Sequence, residues 1–193
     1  VPWHDQVEVA KADVSDPVAV RAAMEGVDVA YYLVHSMQGG SDFAERDRVA
    51  AQVFADAARE AGVRRLVYLG GLLPDDRSEL SVHLRSRAEV GDILLGSGVP
   101  TAVLQAAAIL GSGSASFEML RYLTERLPAM VTPKWVRSRM QPIAVRDVLH
   151  YLCGCVDLPA EVHRSFDIGG PDVITYEELM QRYAAVAGLP RRL

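Results

Sequence analysis

The chain has 193 residues, of which 50% are hydrophobic and 23% charged, and its formal net charge is −5. This length is sufficient for one domain with a buried core. We expect no membrane span, because no uninterrupted apolar stretch reaches roughly 18 residues. We also expect no signal peptide at Val1–Asp5. Acidic and basic residues are mixed throughout, so we expect no basic surface for nucleic acid.

Strand-like and helix-like patterns alternate from the start of the chain. Polar and apolar residues alternate over Val7–Ala10, which predicts a short strand. Asp16 followed by Pro17 is typical of a helix start, and Gly26 predicts the end of that helix. The nearly continuous apolar run Asp28–Val34 predicts a strand that is buried on both faces, as strands of parallel sheets are.

The next segment carries the clearest helical pattern. Asp42 and Glu45 have capping-box spacing, and apolar residues then recur at helical intervals until Gly62. Thr175 and Glu178 predict a second capping box. The other predicted elements are, in chain order, strand Arg65–Leu69, helix Ser81–Leu95, strand Thr101–Leu104, helix Ser116–Glu125, strand Met140–Ile143, helix Val145–Val156, strand Phe166–Ile168 and helix Thr175–Ala187.

This alternation predicts one doubly wound α/β domain over residues 1–193, with a parallel sheet covered by helices on both faces. Ligands of such sheets bind at the carboxyl ends of the strands, near the point where the strand order reverses. The candidate site residues are therefore those that follow the predicted strands: Asp13 and Val14, His35 to Met37, Gly70 and Gly71, and Ala106 to Gly111.

Five segments, in this order, resemble those of a known superfamily: Ala12–Asp16 (ADVSD), Gly26–Ala30 (GVDVA), Gly62–Leu69 (GVRRLVYL), Gln141–Val148 (QPIAVRDV) and Phe166–Pro171 (FDIGGP). Their order and spacing are similar to those of the short-chain dehydrogenase/reductase superfamily, on its extended and atypical side, which includes epimerase/dehydratase-like and NmrA-like proteins. The resemblance covers nearly all of the chain. It implies a Rossmann-type fold that binds NAD or NADP, with residues about 115–140 and 160–193 forming a small C-terminal substrate-side portion.

The Gly-rich segment with which this superfamily begins is missing from the sequence. Its glycines let backbone amides at a helix N-terminus approach the cofactor's pyrophosphate. The chain starts where the third strand of the family normally starts, so we expect a sheet that is incomplete at its N-terminal side and a natural protein that is longer than this sequence. The choice between NAD and NADP, which is made after the second strand, stays open.

The catalytic Tyr-x-x-x-Lys pair of the superfamily is also replaced. At its position stand His83 and Arg87, with the same spacing of four residues, and Gly70 or Gly71 stands where a Ser or Thr is usual. His83 is thus a candidate acid/base and Arg87 a candidate for binding ribose or phosphate oxygens. The alternative is that both are exposed helix residues of a domain that binds nucleotide without reductase chemistry.

The resemblance also implies which residues contact the cofactor, with Asp13 near the adenine ring. These predicted cofactor-binding residues are Asp13, Val14, Val34, His35, Ser36, Gly70, Arg87 and Ala107. For His35 and Ser36 the alternative is a turn that caps the next helix. Tyr31 and Tyr32 are expected in the core, since the strand around them is apolar.

Two functions follow from these patterns. One is an NAD(P)-dependent oxidoreductase or nucleotide-sugar-epimerase-like enzyme that acts on a small polar substrate. The other is a non-catalytic NmrA-like sensor that binds the dinucleotide and signals through partner contacts. We expect no bound metal. Cys153 and Cys155 are too close in sequence for an unstrained disulfide, so we expect free thiols and a cytoplasmic location. By analogy with the superfamily alone, we expect a homodimer.

Overall fold

The computed structural model describes residues 4–35, 42–78, 80–126 and 134–190. The chain forms two compact units. The first contains Val1–Leu104 and Gly154–Phe166, and the second contains Gln105–Cys153 and Asp167–Leu193. The sequence-based expectation of a single domain over 1–193, with a substrate-side portion at 115–140 and 160–193, stays a prediction.

Single strands and helices alternate over the first part of the described chain, and from Thr101 onward the strands come in consecutive pairs between helices. The helices are α1 (Pro17–Ala23), α2 (Phe43–Glu60), α3 (Val82–Leu95), α4 (Ala115–Arg126), α5 (Val145–Gly154) and α6 (Tyr176–Val186). The strands are β1 (Val29–Tyr32), β2 (Arg65–Gly71), β3 (Thr101–Ala106), β4 (Ile109–Leu110), β5 (Arg139–Met140), β6 (Ile143–Ala144), β7 (Arg164–Ile168) and β8 (Ile174–Thr175). Three short 3-10 helices are described at 4–6, 134–137 and 155–157.

The main sheet has four strands in the order β1-β2-β3-β7, and it confirms the predicted α/β class with a parallel sheet. β1 and β2 pair in parallel, with Val29 opposite Arg65 and Tyr32 opposite Tyr68. β2 is an inner strand, and its first four residues, Arg65–Tyr68, are all buried. Both strands therefore end at the same edge of the sheet.

The core of the first unit combines an alanine-rich face of α2 with apolar residues of the sheet and of α3. Small side chains let α2 approach closely, and larger ones from the strands fill the remaining space. Its buried members include Tyr32, Ala51, Ala55, Ala58, Leu66, Tyr68, Val90, Leu94 and Val103.

Two expectations for the strands at the start of the chain are wrong. Val7–Ala10 forms no strand, and Val7 and Val9 are exposed, because no other described strand lies beside this segment to complete a ladder. β1 is buried on one face only: Tyr32 is 1% exposed, whereas Tyr31 is 36% exposed. β1 is an edge strand of the described sheet, and its alternate side chains point to the core and to solvent.

Two of the three predicted helix caps form, and one does not. The Asp16 carboxylate accepts hydrogen bonds from the backbone N–H groups of Val18 and Ala19, and Thr175 with Glu178 forms the complete capping box. Asp42, by contrast, makes no cap hydrogen bond with its side chain. Its ψ of 9° differs from the extended backbone that brings an N-cap side chain to the amides of the first turn.

In the second unit the predicted strand Met140–Ile143 is divided into β5 and β6. β5 pairs antiparallel with β8, and β6 pairs parallel with β4. Pro142, between them, has no N–H to donate to a ladder, and its carbonyl accepts a hydrogen bond from the Gly170 N–H at 2.9 Å. The core of this unit is formed by Leu120, Val136, Met140, Ile174, Leu179 and Met180.

Arg65, at the start of β2, is the largest fully buried side chain of the described residues, with 1% exposure. Its guanidinium donates to three backbone carbonyls of the segment before β7: Val162 at 3.0 Å, Leu158 at 3.0 Å and Pro159 at 2.7 Å. A buried charge is tolerated more readily when it donates hydrogen bonds in this way. The interaction attaches the returning chain to the amino end of β2.

Arg65→Met should destabilise the protein, because three backbone carbonyls lose a charged donor. Hydrogen bonds to charged groups contribute about 1.5–3 kcal/mol each, so we expect at least about 2 kcal/mol lower free energy of unfolding in urea titrations. The matched control is Arg64→Met: Arg64 is exposed and donates one bond, to the Val156 carbonyl at 3.3 Å. Equal stability of the two variants would contradict the role given to Arg65.

Gly170→Ala should also destabilise the protein, because a Cβ at position 170 would lie 2.4 Å from the Pro142 carbonyl oxygen, a backbone atom that cannot rotate away. Steric overlap of this kind typically costs about 1–3 kcal/mol. Gly154→Ala is the control, since Gly154 has helical φ of −64° and nothing within 4 Å of its Cβ position. It should leave the urea midpoint unchanged or raise it.

Candidate functional site at the carboxyl ends of β1 and β2

The predicted site residues that follow β1 and β2 lie at one edge of the sheet. Val34 and His35 follow β1, and both are exposed. Gly70 and Gly71 end β2 and are half-buried. The parallel register, in which Tyr32 at the end of β1 lies opposite Tyr68, places the residues that follow β1 at the same end of the sheet as Gly70 and Gly71.

Arg87 lies next to the end of β2. A Cβ at position 71 would be 3.0 Å from Leu84 Cδ2 and 4.0 Å from Arg87 Cδ, so these side chains of α3 cover the glycine. Arg87 is half-buried. The aliphatic part of an arginine can pack against backbone in this manner. The structure thus places a cation at the predicted ligand-binding edge.

His83, one helical turn before Arg87, lies against a residue that the sequence did not indicate. Its ring stacks on the Phe43 ring, with centroids 4.6 Å apart and an interplanar angle of 22°. Phe43 is the first residue of α2, the helix that follows β1. His83 is exposed, so the stack covers one face of the imidazole only.

Tyr68 lies beneath this edge and is 2% exposed. Its hydroxyl donates to the Arg87 backbone carbonyl at 3.3 Å. The ring occupies the space of an absent side chain, since a Cβ at position 70 would lie 2.9 Å from Tyr68 Cε1. Burial raises the pKa of the Tyr68 phenol, and the nearby positive charge of Arg87 partly offsets this. At neutral pH Tyr68 is a hydrogen-bond donor.

A buried polar pair joins α2 to α3 near Arg87. The Ser86 hydroxyl donates to Asp47 Oδ2 at 3.1 Å, and Asp47 is 8% exposed. The pKa of Tyr32 is raised, chiefly by burial and further by the negative charge of Asp47. Sequence patterns missed this pair, although one signal was present: Asp47 interrupts the otherwise apolar face of α2 that carries Ala50 and Ala51.

Asp13 and Val14 precede α1. The Asp13 carboxylate accepts hydrogen bonds from the Ser15 backbone N–H at 2.9 Å and from the Ser15 hydroxyl at 2.7 Å. These bonds hold the pKa of Asp13 below its usual value. Val14 is half-buried. Both bonds are made through Oδ1 and are local, so contact with an adenine ring stays a prediction.

The remaining predicted site residues are placed as follows. Ser36 lies outside the described residues. Ala107 follows β3, is half-buried and belongs to the second unit. Over 4–35, 42–78, 80–126 and 134–190, no group of three His, Cys, Asp or Glu side chains is arranged to hold a metal ion. Within the same ranges no helix has the length and hydropathy needed to cross a membrane.

The described residues fit part of a dinucleotide. They supply a cation, Arg87, and side-chain-free backbone at Gly70 and Gly71 on one edge. Backbone without side chains permits close approach of a ligand. The Gly-rich loop that would bind the pyrophosphate is not in the sequence.

The chain is similar in fold to several solved structures. WbmH from Bordetella bronchiseptica, solved with NAD+, has a TM-score of 0.72 at 19% identity, over 94% of this chain and 66% of WbmH. A dTDP-4-dehydrorhamnose reductase from Clostridium acetobutylicum has a TM-score of 0.78 at 10% identity, over 93% of this chain and 70% of that one. A UDP-N-acetylglucosamine 4-epimerase from Bacillus cereus has a TM-score of 0.71 at 16% identity, over 94% of this chain and 72% of the epimerase.

The chain spans slightly less than two thirds of the length of WbmH. No curated protein shows significant similarity to it. The model of a protein family described as NAD(P)H-binding matches residues 1–121, a range that contains β1, β2, α3 and Arg87. The chain belongs to this NAD(P)H-binding family, which confirms the predicted atypical short-chain dehydrogenase/reductase resemblance and the predicted cofactor, NAD or NADP.

Proposed function

We propose that this chain is part of an NAD(P)-dependent oxidoreductase or nucleotide-sugar-epimerase-like enzyme that acts on a small polar substrate. The observation that carries the proposal is the position of Arg87 at the shared edge of β1 and β2, within the residues matched by the NAD(P)H-binding family. Solved structures of similar fold include a reductase of a dTDP-linked sugar and an epimerase of a UDP-linked sugar. We therefore propose a sugar nucleotide as the substrate.

Each predicted residue has a proposed task at the cofactor. When bound, NAD(P) supplies the hydride-transferring ring. Arg87 binds ribose or phosphate oxygens through its planar set of donors. Asp13 accepts a hydrogen bond through Oδ2, which has no partner among the described residues. The family resemblance also implies cofactor contacts, which we propose here, for Val14, Val34, His35, Ser36, Gly70 and Ala107.

His83 is the proposed proton donor and acceptor. Imidazole is the side chain best suited to proton transfer near neutral pH. The stack on Phe43 holds the plane of the ring, and since it covers only one face, the ring nitrogens stay accessible at the edge. A fixed ring plane favours catalysis because a general base must point at the proton it removes.

The second candidate is a non-catalytic NmrA-like sensor, which is favoured by the absence of the Tyr-x-x-x-Lys pair and by the His83–Phe43 stack itself. The stack gives His83 a packing role that needs no chemistry. In this candidate Arg87 and Asp13 bind the dinucleotide as before, and the bound cofactor is not turned over. We propose a cytoplasmic location and a homodimer for either candidate.

Arg87→Gln should weaken binding of NADPH and of NADH, measured by the change in their fluorescence. Hydrogen bonds from a charged donor contribute about 1.5–3 kcal/mol, which corresponds to roughly a 10- to 100-fold higher Kd. Arg85→Gln is the control, because Arg85 lies on the same helix, is exposed and donates only weakly, to the Leu80 carbonyl at 3.5 Å. Identical Kd values for the two variants would argue against the cofactor role of Arg87.

His83→Gln should abolish turnover of UDP-N-acetylglucosamine or dTDP-4-dehydrorhamnose, whichever the protein accepts, while the Kd of the cofactor stays within about threefold of its original value. Turnover is followed by NAD(P)H absorbance or by product chromatography. His150→Gln, at an exposed position of α5, should leave the rate unchanged. Full turnover in His83→Gln would exclude His83 as acid/base, and tight cofactor binding with turnover of neither sugar nucleotide would favour the sensor.

A further inference from the structure

We propose that Asp47 and Tyr68 are positioning residues for Arg87: acting from α2 and from β2, they hold the backbone of α3 so that the Arg87 side chain is fixed at the cofactor edge. This inference rests on the proposed role of Arg87 in cofactor binding. Neither residue was identified from the sequence as part of the site. Both are buried, so neither touches the cofactor itself.

The first attachment is the bond from the Ser86 hydroxyl to Asp47 Oδ2, 3.1 Å long, between two helices that pack closely. Ser86 is 4% exposed and is the residue immediately before Arg87. A buried carboxylate is unfavourable unless it accepts hydrogen bonds in a defined geometry. Rotation or sliding of α3 relative to α2 would break this bond, so the pair fixes the helix at the residue next to the cation.

The second attachment is the bond from the Tyr68 hydroxyl to the Arg87 carbonyl, 3.3 Å long. A helical carbonyl has a second lone pair available for such a donor. The ring occupies space that a side chain at position 70 would need, since a Cβ there would lie 2.9 Å from Tyr68 Cε1, and it lies in van der Waals range of Gly91 on α3. β2 and α3 are thereby joined at Arg87 itself.

The two attachments reduce the conformational freedom of Arg87 before the cofactor binds, so less of it is lost on binding. A preorganised donor loses less conformational entropy on binding than a mobile one. Packing alone does not account for the polar atoms: a phenylalanine at position 68 would fill the same volume without a buried hydroxyl, and an alanine at position 47 would continue the alanine-rich face of α2. The polar groups are placed where they reach residues 86 and 87.

The test is a double-mutant cycle with NADPH as the probe. Tyr68→Phe and Asp47→Ala are each made in the original protein and in Arg87→Gln, and Kd is measured by NADPH fluorescence. In the original background we expect each to raise Kd roughly three- to tenfold, the equivalent of one hydrogen bond. In the Arg87→Gln background the increase should disappear, and Asp47→Asn, which keeps an acceptor for Ser86, should restore most of the affinity. Equal increases in both backgrounds would overturn the inference.

A second measurement does not depend on the cofactor. In 15N-labelled protein the Arg87 side-chain Nε–H signal should shift, and its hydrogen exchange should become faster, in Tyr68→Phe and in Asp47→Ala. Asp56→Asn, a half-buried position on α2, and Tyr151→Phe, an exposed position on α5, should leave the signal unchanged. An unchanged signal in both test variants would overturn the inference whatever the NADPH result. Failure of the original protein to bind NADPH, together with a shifted signal, would instead count against the proposed function and in favour of the positioning of Arg87.

Discussion

The buried guanidinium of Arg65 is the interaction on which the arrangement of the first unit depends. It sits at the amino end of the inner strand β2 and binds the carbonyls of Leu158, Pro159 and Val162, which precede β7. Its Nε is the one buried side-chain nitrogen or oxygen of the described residues without a hydrogen-bond partner, so the bonds to the three carbonyls are all made by the two terminal NH2 groups. These bonds connect the start of β2 to a segment more than ninety residues away in sequence.

The carboxyl ends of the strands are organised by different means. There, Gly70 and Gly71 leave space that is occupied by the Tyr68 ring from below and by Leu84 and Arg87 from α3. This edge of the sheet therefore has one cation, Arg87, and two positions without side chains, Gly70 and Gly71. Such an edge suits a dinucleotide, which needs close backbone approach and donors for its oxygens. At the amino end of β2, Arg65 stabilises the fold, and at the carboxyl end of the same strand Gly70 and Gly71 belong to the candidate site.

Much of the fold could be predicted because its signals are local. A cap such as Asp16 before Pro17, the Thr175–Glu178 box and the helical period of α2 depend on neighbours within a few residues, and the structure has each of them. The errors arise where a neighbour distant in sequence is required. Val7–Ala10 has a strand pattern but no described partner strand. Tyr31 lies in an apolar run that predicts burial, yet its side chain is exposed on an edge strand.

For the candidate site, the sequence by itself determined the family, the α/β class, the two glycines that end β2 and the replacement of the usual catalytic pair by His83 and Arg87. These follow from residue type and spacing, which the chain carries whether folded or not. Only the tertiary structure decided that Tyr68, Asp47 and Phe43 contact this pair or its neighbours, and that Arg65 is buried. Those contacts join different helices and strands, and hydrogen bonds of about 3 Å depend on packing that no local pattern encodes.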